Sequence, residues 1–311
     1  MCSSDLVAKE TIPLLVDLLK TSDDPETHML ISKTMVHFGK DSIPALLPLL
    51  KEDKKQVKKS VMGILDQMNS AAMPYLFDIV EHGKDDLLAA EAIKIIGKKL
   101  DHIQYLVGLL KKVSPVVQNA AVETLIRIGI PGIPKLLEFI AQSESEKECK
   151  LARKILSSIG ESSVPHLVGA LKDVNGNGKL ARKTLIETIG EIGPKAQMAI
   201  TPLVDLMIHW KGEDRLMLAF CFGKIGPTTI QYLVKLLQHD DSEVQEAAVI
   251  ALGETKSPEV VEHLLISLKD PRLLSRVINA SVKMKGLAVP ILIKSARKST
   301  RLNSSHVSQS R

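Results

Sequence analysis

Ile103-Gln-Tyr-Leu-Val-Gly-Leu-Leu110 and Ile230-Gln-Tyr-Leu-Val-Lys-Leu-Leu237 are one phrase written twice. A looser form runs through the whole chain: an apolar, mostly branched residue, often followed by Pro, then a Leu-rich stretch. It stands at Ile12-Pro13, Ile43-Pro44, Met73-Pro74, Ile103-Gln104, Ile133-Pro134, Val164-Pro165, Ile200-Thr201, Ile230-Gln231, Val261-Glu262 and Val289-Pro290. The spacings are 31, 30, 30, 30, 31, 36, 30, 31 and 28 residues. Self-similarity at a period of about 30 residues is the mark of a repeat architecture. Pro fits the first turn of a helix, where its missing N–H has no internal partner to lose.

Counting each copy from its branched residue as zero, positions 3, 4 and 7 are almost always apolar, as in Leu46, Leu47 and Leu50, or Leu136, Leu137 and Ile140. Position 6 is usually apolar too, as in Leu49, Ile79, Leu109, Phe139 and Leu206. So wide an apolar stripe belongs to a helix packed on two sides. An Ala-rich helix precedes each copy, for example Val117–Gly129, Leu180–Gly190 and Val244–Gly253. Its small residues, among them Ala120, Ala152, Ala181 and Ala247, allow close approach of neighbouring helices. Gly39, Gly97, Gly129, Gly160, Gly190 and Gly253 stand where left-handed C-caps are expected. No stretch sustains period-2 alternation with β-branched and aromatic residues. The expectation is an all-α fold, a right-handed α-α superhelix of about nine stacked helical hairpins.

Leu237-Gln-His-Asp-Asp-Ser-Glu-Val-Gln-Glu-Ala-Ala-Val-Ile-Ala-Leu-Gly253 resembles HEAT repeats of the short, bacterial, phycobilisome-lyase-like class, and the likeness extends over Val7–Ala296. It implies architecture strongly and biochemistry weakly. The frequent Val-Arg pair of such repeats is Val117-Gln118 and Val244-Gln245 in this sequence, which puts an arginine ladder in doubt. Some enzymes of this architecture, the deoxyhypusine hydroxylases, bind iron through His-Glu pairs. This chain has only the reversed Glu81-His82 and Glu262-His263, which speaks against that chemistry.

The bulk numbers fit a protein of 311 residues with a large aliphatic core, 45% hydrophobic, 25% charged and only 3% aromatic. No apolar run reaches the roughly 18–20 residues of a membrane span. Both ends carry a foreign signature. Arg297–His306 reads as the translation of a short-read sequencing adapter, and Met1–Leu6 as its reverse complement. Residues 1–6 and 297–311 are therefore expected to be non-native, leaving 7–296 as an internal fragment of a longer protein. Without Asp5, Arg297, Lys298, Arg301 and Arg311 the formal charge of +5 falls to +2. A near-neutral chain argues against nucleic acid as partner.

Few motifs carry chemistry. Asp173-Val-Asn-Gly-Asn-Gly178 matches the first half of a calcium loop, but position 12, where a Glu should close it, is Thr184; a turn between hairpins is the simpler reading. Cys2, Cys149 and Cys221 have the spacing of neither a disulfide framework nor a zinc site and read as reduced thiols. Cys221 is expected to be buried, and Cys149, in Glu144-Ser-Glu-Lys-Glu-Cys149, more exposed. The spacing of 36 places extra residues around Gly193–Ala199, a local kink or extra turn. Trp210 is read as covering the local core. No catalytic, cofactor or metal residues are assigned.

The remaining signal is a face. Positions 2, 5 and 9 of the Leu-rich helix point away from its apolar stripe. Position 2 holds Tyr75, Tyr105, Lys135, His166, Tyr232 and His263, with all three tyrosines of the chain among them. Position 5 adds Asp17, Asp78, Glu138, Asp205 and Lys235, and position 9 adds His82, Lys112, His209 and His239. The resemblance implies that the second helix of each hairpin lines a concave wall, where these residues would form a ridge. Tyr is enriched in interfaces, and mixed charge suits a protein or peptide partner. The expected function is an interaction scaffold in the cytoplasm. An enzyme-associated repeat domain, such as a lyase or modifying-enzyme subunit, and a nucleic-acid-binding solenoid are the alternatives.

Overall fold

A computed structural model describes residues 3–112, 114–173, 178–267, 271–284, 289 and 293. The described residues form helices and turns without strands. The chain divides into two compact units, Met1–Lys135 and Leu136–Arg311. The Ala-rich helices are α2 (Pro25–Phe38), α4 (Lys55–Met68), α6 (Asp86–Ile96), α8 (Pro115–Ile128), α10 (Glu146–Ile159), α12 (Lys179–Ile192), α14 (Gly212–Ile225), α16 (Ser242–Thr255) and α18 (Leu274–Lys283). The Leu-rich helices are α1 (Ser3–Thr21), α3 (Ile43–Leu46), α5 (Met73–His82), α7 (Ile103–Gly108), α9 (Ile133–Gln142), α11 (Val164–Lys172), α13 (Ile200–His209), α15 (Ile230–Leu236) and α17 (Val260–Ser267). Tight 3-10 turns, Leu47–Lys51 and Leu109–Lys111, prolong α3 and α7.

The hairpin is encoded by a short punctuation. Asp or Ser caps the Ala-rich helix: Asp24 Oδ2 accepts from the Thr27 N–H at 2.8 Å, Asp85 Oδ1 from Leu87 and Leu88 at 3.1 Å, and Asp241 Oδ1 from Glu243 at 2.8 Å. The far end turns at a residue of positive φ, such as Gly160 at 77° or Gly226 at 96°, a region that disfavours a Cβ. Three residues on, a buried hydroxyl closes the turn. Ser163 Oγ donates to Leu156 O (3.1 Å) or Gly160 O (2.7 Å), Ser42 Oγ to Met35 O (3.0 Å) or Gly39 O (2.9 Å), and Thr229 Oγ1 to Gly226 O (2.7 Å). The Leu-rich helix starts on the next residue, Val164, Ile43 or Ile230.

The stripe read from the sequence is the core. Leu46, Leu76, Leu106, Leu136, Leu167, Leu203, Leu233 and Leu264, all at position 3, are fully buried. Ala89, Ala92, Ala121, Ala152, Ala219, Ala247 and Ala248 are buried on the Ala-rich helices. Within the first unit α2 packs closely on α4, and α6 on α8; within the second, α10, α12, α14, α16 and α18 pack each on the next. In the second unit contacts between successive Leu-rich helices are sparser. The reason is side-chain size. A Cβ on Gly253 would lie 2.6 Å from Ala280 Cβ, one on Gly190 would lie 3.0 Å from Lys224 Cδ, and one on Gly223 would collide with Glu254.

Polar groups join hairpin to hairpin along the same Ala-rich row. A donor in the first turn reaches back to the carbonyls that end the preceding Leu-rich helix. His28 Nε2 lies 2.9 Å from Ser22 O, Gln118 Nε2 donates to Leu110 O (3.0 Å) and Lys112 O (2.6 Å), and Gln245 Nε2 to His239 O (2.8 Å). Arg215, buried, donates to Trp210 O at 2.7 Å and pairs with Asp241 and Glu243 at 3.2 and 3.1 Å. Gln in place of Arg therefore keeps the task, which is to satisfy helix-end carbonyls. The charged ladder that the Val-Gln pairs put in doubt is present at other positions: Lys58 with Glu91 (3.3 Å), Arg153 with Glu187 and Glu191, Arg182 with Asp214 (3.0 Å) and Arg276 with Glu246 (3.0 Å).

Several expectations are corrected. Gly190 and Gly253 are not caps; both lie inside helices, and the residues of positive φ are Gly193 and Lys256. Gly97 ends α6 at an ordinary φ of −71°. Helix α1 runs unbroken through Pro13, because no turn residue precedes it. Cys149 is buried like Cys221, since its position on α10 faces inward despite the charged residues before it. The extra residues at Gly193–Ala199 form a seven-residue 3-10 turn with a kink at Ala196. Met1, Cys2, the tail 297–311 and Val174–Asn177 of the calcium-like string lie outside the described residues. Thr184, its twelfth position, is buried and donates to Leu180 O at 2.8 Å.

Candidate functional site

Every residue of the candidate ridge is solvent-accessible. In the first unit Tyr75, Asp78 and His82 lie on α5, Tyr105 on α7, Lys112 just after it, and Lys135 on α9. In the second, Glu138 lies on α9, His166 on α11, Asp205 and His209 on α13, Tyr232 and Lys235 on α15, His239 after α15, and His263 on α17. Asp17, on α1, and Asp78, His82, Glu138, His166, Asp205, His209 and Lys235 are exposed; the others are half-buried. The spacing explains this, since positions 3 and 7 turn inward and leave 2, 5 and 9 outward.

In the first unit part of the column is joined by a residue that sequence reasoning passed over. Glu81, on α5, accepts from Tyr105 Oη at 2.9 Å and from Lys112 Nζ at 2.5 Å. Phe77 meets Tyr105 edge-on with ring centroids 4.6 Å apart, and His102 at 5.2 Å. Tyr105 is thereby held at its ring and at its hydroxyl. The Lys112 hydrogen bond holds the Glu81 carboxyl below its usual range, and Tyr105 adds to this. Burial, and then the bond to Glu81, push the Tyr105 phenol well above its usual value. His82 Nδ1 lies 3.2 Å from Asp78 Oδ1, one helical turn away. The only sequence signal for this cluster is that Glu81 falls one turn beyond Phe77 on the same helix.

In the second unit two histidines of the column are held by the main chain. His209 Nδ1–H donates to Asp205 O at 2.7 Å, and His239 Nδ1 accepts from the Asp241 N–H at 3.0 Å, so both rings are oriented by backbone. Trp210 is half-buried at the C-cap of α13. Cys149 and Cys221 are both buried, and burial pushes the Cys221 thiol up to about 12. Among the described residues no three His, Cys, Asp or Glu side chains gather as a metal site. No helix among them is long and apolar enough to cross a membrane.

In the second unit the Ala-rich helices pack on one another more closely than the Leu-rich helices do. The tyrosines and histidines of the column lie on the Leu-rich helices or just after them.

Stacked helical hairpins with an aliphatic interior define an α-solenoid. Residues 200–284 match the family model of HEAT repeats. No curated protein matches the sequence. Among solved structures the chain is similar to the karyopherin Kap121p bound to the SUMO protease Ulp1p, with 14% identity, 96% of this chain and 40% of that one covered, and a TM-score of 0.50. Human deoxyhypusine hydroxylase in complex with glycerol aligns at 17% identity over 81% of this chain and 98% of its own, with a TM-score of 0.30. The CpcE–CpcF complex of phycocyanin lyase from Nostoc sp. PCC7120 aligns at 18% identity over 68% and 92%, with a TM-score of 0.28. The likeness to the karyopherin is one of fold.

Proposed function

We propose that the chain is an interaction scaffold that binds a protein or peptide partner along the outward column of its Leu-rich helices. The observation that carries this reading is the accessibility of all the column residues, with the three tyrosines of the chain at the same helical position. Helices fixed by their neighbours hold these side chains at set spacings, so little ordering cost remains on binding. Tyr gives contact area with a polar tip, and His, Lys, Asp and Glu supply a mixed-charge rim. Buried thiols fit a reducing compartment, and we place the protein in the cytoplasm.

The test is capture of a partner from the source organism, followed by affinity measurement with the purified partner. Tyr75→Ala, Tyr105→Ala and Tyr232→Ala combined should weaken that affinity at least about tenfold while leaving helical circular dichroism unchanged. An unchanged affinity would remove the column from the binding surface.

A further inference from the structure

A groove of about 450 Å3 lies along the outer face of α4 in the first unit, lined by Lys55, Lys58, Lys59, Met62, Gly63 and Lys98. Its walls are mostly apolar, because lysine stems and Met62 form them while the ammonium groups stand at the rim. Gly63 leaves the floor open: a Cβ there would meet nothing within 4 Å. Lys58 is tied to Glu91 at 3.3 Å and Lys98 to Asp66 at 3.1 Å. Lys55 and Lys59 have no carboxylate partner among the described residues.

We propose that this groove binds an acidic, extended peptide segment of a partner protein, with an apolar side chain seated over Met62 and Gly63. Charge complementarity selects the acid. Two free ammonium groups one helical turn apart keep their full field, whereas the Glu91 and Asp66 carboxylates are already engaged. The apolar floor selects a peptide over a phosphate backbone, and no aromatic side chain lines the groove to stack a base. Spacing selects the pattern. Lys55 and Lys59 are about 6 Å apart along the helix axis and Gly63 about 6 Å further. An extended chain repeats one face about every 6.6 Å. Acidic residues two apart, with an apolar residue two beyond them, match this series. The site lies on the Ala-rich row and does not rest on the tyrosine column.

The experiment is fluorescence anisotropy of a labelled synthetic peptide, Glu-Ser-Glu-Ser-Leu between neutral flanks, titrated with the full chain. Saturable binding that weakens as salt rises is expected. Replacing Leu by Ser in the peptide should weaken it severalfold, and Lys55→Glu with Lys59→Glu at least about tenfold. Gly63→Leu fills the open floor, so it should block binding while helical circular dichroism stays equal or rises; loss of fold cannot then explain the effect. The Tyr75, Tyr105 and Tyr232 triple variant should bind this peptide unchanged. Absence of saturable binding, equal binding by both the lysine and the Gly63 variants, or tighter binding of a short single-stranded RNA than of the peptide would overturn the proposal.

Discussion

Two glycines on Ala-rich helices show how little a residue's identity says without its neighbour. Gly63 on α4 faces open space, and Gly253 on α16 faces Ala280 of α18. Adding a methyl in a helix interior normally stabilises by about 0.5–1 kcal/mol. Gly63→Ala should therefore raise stability by about that amount. Gly253→Ala brings the same propensity gain but forces two backbones apart, and overpacking of about 1–3 kcal/mol outweighs it. Thermal or denaturant unfolding of the pair should show opposite signs, and stabilisation of both would contradict the close approach of α16 and α18. Arg215 makes a similar point through charge. Its carboxylate partners remain wet when it is removed, so the loss in Arg215→Ala is its bonds to helix-end carbonyls and its packing, about 2–3 kcal/mol. Cys221, buried and with its thiol held up to about 12, should react with alkylating reagents only after unfolding. Labelling of the folded chain at Cys221, mapped by mass spectrometry, would show that α14 is misplaced.

At the scale of the element, the starts of the Leu-rich helices were legible residue by residue. Ile43, Met73, Ile103, Ile133, Val164, Ile200 and Ile230 each begin one, and the position-3 leucines are the buried core. Periodicity reports which side of a helix avoids water. It does not report what covers that side, so Gly190 and Gly253 passed for caps and Cys149 for an exposed thiol. Glu81 was missed because its meaning depends on Tyr105 and Lys112 from the next hairpin. The Asp caps give this scale its prediction. The carboxyl of Asp24 is held below its usual range first by the Thr27 hydroxyl, that of Asp85 by Lys51, and that of Asp241 by the Glu243 N–H. A depressed folded value means that the contribution is complete above the unfolded value and fades as pH falls through the folded one. Thermal stability should drop on acidification below pH about 4. The Asp24→Asn, Asp85→Asn and Asp241→Asn triple variant should start lower and fall less over that window. An equally steep fall would place the acid sensitivity elsewhere.

For the whole molecule, the account rests on contacts that join each hairpin chiefly to those beside it, so that stability adds up along the chain rather than around one centre. Function is then spread over surfaces that recur with the repeat: a column on the Leu-rich helices, and a lysine-rimmed groove on one Ala-rich helix. Hydrogen–deuterium exchange read by mass spectrometry on the parent and on Gly253→Ala tests this most directly. The account predicts loss of protection confined to α14, α16 and α18, with α2, α4, α6 and α8 unchanged. Loss of protection through α2 to α8 from that single methyl group would contradict it.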